Sequence, residues 1–437
     1  MFHSVQPVFC CWCFHQEKFT MIRAAVAIWI LSAVICVGRG HHHDHGNHSH
    51  HGGADQDTAQ DGGANTFLQV TSANKDFAYR LYRKLAAHAD SEGKNIFFSP
   101  SSVSVALAAL SVGARGETHH QLFRGLGFND SLLTQTDVDQ SFQKLLKKTN
   151  DTSQDISEGT AVFVDHKFKA KADFLETLMQ SYLADGFSVD FSETTDSANT
   201  INKYVEDKTN GKIDKLVEGL DESTVMYLIS YIYYKGKWAT PFDPHLTRED
   251  LFMVDENTKV SVQMMYKQRR FDTYYDRAIN TSVLHLPFNS SYSMLLLLPD
   301  DMSTLENAIS QAHVTKWSKW MTSSTHEVFI PKFSIKTSYK LNGVLKEMGM
   351  TDMFGESADL SGISDGNRLS VSEVVHQATL DVDEAGATAA AATGVGIMLL
   401  SFRHIPVLKF NRPFMVIITE RNTKQILFMG KIINPNI

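Results

Sequence analysis

From Ser72 onward the apolar residues follow either a helical period or near-continuous runs. In SANKDFAYRLYRKLAAHA, Phe77, Leu81 and Leu85 fall on one face at helical spacing, with Ala78 and Tyr82 beside them, so the stretch predicts an amphipathic helix. The same spacing in SANTINKYVEDKTNGK aligns Ile201 with Val205 and predicts a helix that stops at Asn210-Gly211. VMYLISYIYYKGKW, from Val225, is rich in β-formers and almost unbroken in its apolarity, the pattern of a strand covered on both faces. VSVQMMY, SMLLLLPDD and VFIPKFSIK predict further strands, and FMVIITE and ILFMGKI on either side of RNTKQ predict a hairpin of core strands. Helices mixed with non-alternating strands, in no strict βαβ order, indicate an α+β fold without internal repeats.

One segment fits neither pattern. DEAGATAAAATG, residues 383–394, is alanine-rich, but its glycines and threonines weigh against a helix, since each glycine costs roughly 1 kcal/mol there. The apolar run VGIMLLSF that follows has no polar face. Residues 385–402 therefore read as an extended segment of small side chains. As a strand it would place Ala387, Ala389, Ala391 and Thr393 on one face and Thr388, Ala390, Ala392 and Gly394 on the other. From Ala385 to Phe402 there is no charge to bury and no proline to interrupt a ladder.

The amino-terminal region has a different character. From Met21, one early positive charge, an apolar stretch from Ala24 to Val37 and small residues around Gly38 form the layout of a secretory signal peptide. The apolar run is short for a membrane span, the alternative reading. This divides the chain into an upstream extension (1–20), a signal peptide (21–40), a His- and Gly-rich disordered tail (41–66) and a single folded domain (67–437). All four cysteines, Cys10, Cys11, Cys13 and Cys36, lie before the expected cleavage near Gly38 to Gly40, so the secreted, extracellular chain would hold no disulfide and needs a full hydrophobic core. Asn-x-Ser/Thr triplets at Asn47, Asn129, Asn150, Asn280 and Asn289 agree with secretion as glycosylation acceptors.

At 43% hydrophobic and 21% charged, the 437 residues suffice for one large domain, and a net charge of −8 gives no support for a nucleic-acid partner. His41, His42, His43, His45, His48, His50 and His51 can chelate Zn²⁺ or Cu²⁺ at this density, although a solvated tail needs no metal, and no other cofactor is implied. G-x-S-x-G, the P-loop and H-E-x-x-H are all missing, and GVGIML has Leu399 where a dinucleotide loop needs its third glycine. His119, His120, His285 and His376 are scattered among ordinary residues. Lys144, Lys147 and Lys148 read as a solvated helix face rather than a heparin site. No motif marks an enzyme.

NIFFSPSSVSVALAALSVGARGET (95–118), YYKGKWATPF (233–242), the segment from Asp383 to Thr393, FNRPF (410–414) and FMGKIINP (428–435) resemble, in order, the motifs of the serpins. The resemblance covers residues from about 72 to 437 and leans toward the alpha-1-antitrypsin-like branch, in which Asn129 and Asn289 fall at carbohydrate positions. It implies three β-sheets, about eight or nine helices, and an exposed reactive-centre loop over about 384–406. It also implies a monomer that traps secreted serine proteases as covalent 1:1 complexes, with no membrane and no catalytic residues of its own.

Residue by residue, the resemblance makes Glu384, Gly386, Ala387, Thr388, Ala389, Ala390, Ala391, Ala392 and Thr393 the hinge that enters the central sheet after cleavage. Ala387 stands where threonine is most typical. Counting from Gly386 puts the scissile bond between Leu400 and Ser401, with Ile397, Met398 and Leu399 in neighbouring subsites, a set suited to elastase-like or chymotrypsin-like targets. The downstream segment SFRHIPVLKF is about two residues longer than in that branch, so cleavage after Met398 or Phe402 preserves the target class, whereas cleavage after Arg403 would favour trypsin-like enzymes. Ser99, Ser102, Ser230 and His376 correspond to a buried polar cluster at the centre of the sheet, and Trp238 to the loop base. Ser230 departs from the family's frequent asparagine. A non-inhibitory hormone carrier and a histidine-tract metal carrier are the competing readings.

Overall fold

The computed structural model describes residues 57–88, 91–150, 156–365, 369–385 and 404–437. Among these, nine α-helices run in the order α1 (Asp57–Ala87), α2 (Pro100–Gly113), α3 (Gly116–Leu126), α4 (Gln135–Asn150), α5 (Ala172–Tyr182), α6 (Thr194–Lys208), α7 (Met302–Ala308), α8 (Gln311–Trp320) and α9 (Asn342–Glu347). The strands are β1 (Ile96–Phe98), β2 (Ile156–Asp165), β3 (Asp185–Val189), β4 (Met226–Tyr234), β5 (Arg248–Met253), β6 (Lys259–Asp276), β7 (Thr281–Pro287) and β8 (Tyr292–Pro299), then β9 (Thr322–Pro331), β10 (Phe333–Lys340), β11 (Glu373–Val382), β12 (Val407–Lys409), β13 (Phe414–Glu420) and β14 (Ile426–Ile432). The fold is α+β.

Hydrogen bonding joins five strands in the order β10-β11-β4-β2-β3 and the other nine in a second network. The three sheets that the resemblance implies are found as these two networks, because two parts of the larger one share a strand. The long β6 links them, because it pairs β5 and β9 through its first part and β7 through Asp272–Asp276.

β4 shows why a continuous apolar run was needed. All nine of its residues are buried. Met226 and Leu228 join the core cluster that holds Val103 and Leu107 of α2, while Tyr227, Ile229, Tyr231 and Tyr233 pack with Ile201 and Val205 of α6. A strand sandwiched between helices has no solvent face to leave polar. α2 is equally enclosed; Pro100 opens it and the Ser99 side chain caps it by accepting from the Ser102 N–H.

The first helix differs from expectation at its start. α1 begins at Asp57, inside the stretch assigned to a tail, and Val70 is the first fully buried side chain among its described residues. The packed face of Phe77, Leu81 and Leu85 fixes the helix, and a helix once nucleated extends by further turns at little cost. No helix among the described residues is long and apolar enough to cross a membrane.

Candidate functional site: the loop base and the centre of the five-stranded sheet

The loop that carries the small-residue segment leaves the carboxyl end of β11, the strand paired in parallel with β4 from Glu373–Tyr227 to Leu380–Tyr234. Past that register the chains are fastened by side chains and single backbone bonds. The Trp238 indole Nε1–H donates to the Asp383 carbonyl at 2.7 Å, the Trp238 backbone N–H donates to the Ala385 carbonyl at 3.0 Å, and the Phe242 N–H donates to the Glu384 carbonyl at 3.1 Å. The Trp238 ring is held by stacking on Phe288 at 4.6 Å.

Two carboxylates complete the anchor. Asp383 pairs with Lys235 at 2.8 Å and accepts from the Ala385 N–H. Glu384, whose side chain is 11% exposed, pairs with Lys332 at 2.8 Å and accepts the Thr247 hydroxyl at 2.7 Å. Burial by itself raises the Glu384 pKa, but the Lys332 ammonium and the Thr247 hydroxyl outweigh it and hold the carboxyl below the usual glutamate range. The first residues after β11 are thus tied to the ends of β4 and β10.

Lower in the same sheet, Ser99, Ser102, Ser230 and His376 converge. His376 faces Ser230 across the β4–β11 pairing and is fully buried. The Ser99 backbone N–H donates to His376 Nε2 at 2.9 Å, so Nε2 is an acceptor and the neutral ring carries its proton on Nδ1. That proton faces Ser230 Oγ at 3.0 Å, and Ser230 Oγ lies 2.7 Å from Ser102 Oγ. Burial pushes the imidazole pKa down to about 3. Serine at 230 therefore satisfies the ring although asparagine is frequent at this position in the family it resembles. The cluster links the amino end of α2 to both strands of the parallel pair; Trp238 stands apart from it, at the loop base.

The remaining expected positions divide in two. Gly386, Ala387, Thr388, Ala389, Ala390, Ala391, Ala392, Thr393, Ile397, Met398, Leu399, Leu400 and Ser401 lie outside the described residues, as do Asn47 and the histidine tract His41–His51. Asn129, Asn280 and Asn289 are exposed, and Asn150 ends α4. His119 contacts Gln135 and His120 contacts Asp130, in separate surroundings from His376. Sequence reading missed Lys235, Thr247 and Lys332 as anchors. Lys235 lies within YYKGKWATPF, so a signal for it was present. Lys332 was only one residue of a strand pattern.

A family model described as serpin (serine protease inhibitor) matches residues 72–435. The hibernation-specific plasma protein HP-55 of Tamias sibiricus is 41% identical over 364 residues, 82% of this chain and 87% of that protein. Alpha-1-antiproteinase 2 of Equus caballus is 40% identical over 364 residues, 82% of this chain and 86% of that protein. Among solved structures, human thyroxine-binding globulin complexed with thyroxine superimposes with a TM-score of 0.79 at 35% identity, covering 85% of this chain and 100% of that one.

Proposed function

The chain belongs to the serpins, and on that premise we propose that it is a secreted, irreversible inhibitor of elastase-like or chymotrypsin-like serine proteases. It is not an enzyme: the target's serine Oγ attacks the Leu400 carbonyl, the amine of Ser401 leaves, and the acyl-enzyme ester is trapped before water releases it. The hinge Glu384–Thr393 then enters the sheet between β4 and β11.

One observation carries this reading, the parallel pairing of β4 with β11 beside a loop that starts at β11's carboxyl end. A segment returning from that end runs antiparallel to both strands. It would replace one parallel pairing with two antiparallel ones, the slightly stronger kind. About a dozen new backbone hydrogen bonds at roughly 0.5–1.5 kcal/mol each amount to about 6–18 kcal/mol, as large as the whole stability of many domains. What delays insertion is kinetic: the β4–β11 ladder, the Ser230–His376 contact and the Glu384 anchor must open first. The small, uncharged residues from Ala385 to Gly394 suit burial in the widened sheet.

The second reading, a carrier of a small hormone, draws on the likeness to thyroxine-binding globulin. Mixing the secreted protein with elastase and with chymotrypsin separates the two. A band at the summed mass that survives boiling in detergent, with a released peptide beginning at Ser401, supports inhibition and the bait bond. Loop cleavage without a covalent band supports the carrier.

A further inference from the structure

A crevice runs beside α4, where that helix meets α2 and β2, away from the loop base. Two cavities adjoin along it, with Val105, Leu146 and Glu158 lining both. One limb reaches Asn74, Phe142 and Leu427; the other reaches Thr160 and Tyr182.

The walls are largely apolar, and the unpartnered polar groups at them include two acceptors, Glu158 and Asn74 Oδ1, beside the Ser291 hydroxyl. Glu158 stands on β2 opposite Ile232 of β4, itself a core residue. Among the described residues no hydrogen bond or ion pair reaches its carboxylate, and burial alone raises its pKa to about 7. Asn74, on α1, is 8% exposed, and its Oδ1 is buried without a partner. Glu420, at the edge of the same limb, already accepts from Asn422 and Thr423. No lysine, arginine or histidine is among the described residues lining either limb.

A half-buried carboxylate with no counter-charge beside apolar walls is a ready partner for a ligand ammonium, which it would hold through charge-assisted hydrogen bonds. The leucines of α4, Leu145 and Leu146, together with Phe142 and Val105, offer apolar surface for the rest of such a molecule. We propose that this crevice binds an organic primary amine, its ammonium held by Glu158, with Asn74 as a further acceptor, and its apolar chain laid along α4. The site is independent of the bait loop, so it stands or falls apart from protease inhibition.

Calorimetric titration of the full secreted protein with n-octylammonium, n-octanol and octanoate at neutral pH tests it. The expected result is one saturable site that takes octylammonium about tenfold tighter than octanol, the worth of one charge-assisted hydrogen bond, with octanoate weaker than either. Glu158→Gln should erase the preference for the amine while octanol binds as before, and Leu146→Trp, which fills the crevice, should abolish both. Saturable binding absent for all three probes, octylammonium binding no tighter than octanol, or a preference that survives Glu158→Gln would each overturn the proposal. The comparison of probes on the unsubstituted protein decides the matter even where a variant does not fold.

Discussion

Ser230 Oγ lies 3.0 Å from Nδ1 of His376 directly across the parallel pairing of β4 with β11. The contact bridges the two strands between which the loop would enter. Ser99 donates to the other ring nitrogen, so the imidazole spends both of its nitrogens on holding the sheet closed and has none left for a second proton.

Acid should therefore weaken this centre. The folded pKa of His376, about 3, lies below the ordinary histidine value near 6.5. Above the ordinary value the ring is neutral in both states and contributes no pH dependence. As pH falls below it, the unfolded chain takes up a proton that the folded chain refuses, and stability drops by up to about 1.4 kcal/mol per pH unit until the folded pKa is reached. Denaturant midpoints measured between neutral pH and about pH 4 should fall more steeply for the wild type than for His376→Gln. Equal slopes would show that the ring does not control the transition.

Removal of the Lys332 ammonium leaves Glu384 a largely buried charge whose remaining side-chain partner is the Thr247 hydroxyl. We expect Lys332→Ala to destabilise the protein by about 1–2 kcal/mol and to speed self-association through the loosened hinge. The Glu384 pKa is depressed, so the anchor is present above the ordinary glutamate range and lost as pH falls through the folded value. Thermal midpoints and native gels after mild heating report both effects. An unchanged midpoint and unchanged association would remove Lys332 from the hinge.

A charge introduced into the hinge should separate cleavage from trapping. On the proposed insertion, Ala389→Arg would carry a guanidinium into a position that the inserted strand buries, while the proposed bait bond downstream is untouched. The expected outcome is cleavage at the wild-type rate with most of the covalent complex lost, read as a rise in the number of inhibitor molecules consumed per protease. Full complex formation by this variant would mean that Ala389 stays outside the inserted segment.

The bait position should be transferable. Leu400→Arg is expected to abolish inhibition of chymotrypsin and create inhibition of trypsin, since the primary pocket of trypsin presents an aspartate. Second-order inhibition constants against both enzymes measure the switch. If chymotrypsin is still inhibited after the change, the scissile bond lies elsewhere, with Met398 and Phe402 the next positions to substitute.

Some of this was legible along the chain. The helical spacing of Phe77, Leu81 and Leu85 and the unbroken apolarity of β4 predict elements that the structure contains, because each reports which faces a local element must bury. The start of α1 was misplaced, since composition registers glycine and polar residues but not the ability of a packed helix to extend into them. Serine in place of asparagine at 230 raised a question about hydrogen bonding that no local pattern answers.

The sequence by itself determined the class of fold, the order of the motifs and the absence of charge and proline from the segment after Ala385, all properties that neighbouring residues carry. Tertiary structure decided the rest: that Lys332 reaches Glu384, that the Ser99 N–H reaches His376 from a helix cap far away in the chain, and that Glu158 lines an apolar crevice with no partner among the described residues. The physical reason is that period and propensity act over a few residues, whereas an ion pair, a buried hydrogen bond or an orphaned carboxylate depends on which distant strands and helices the topology brings side by side.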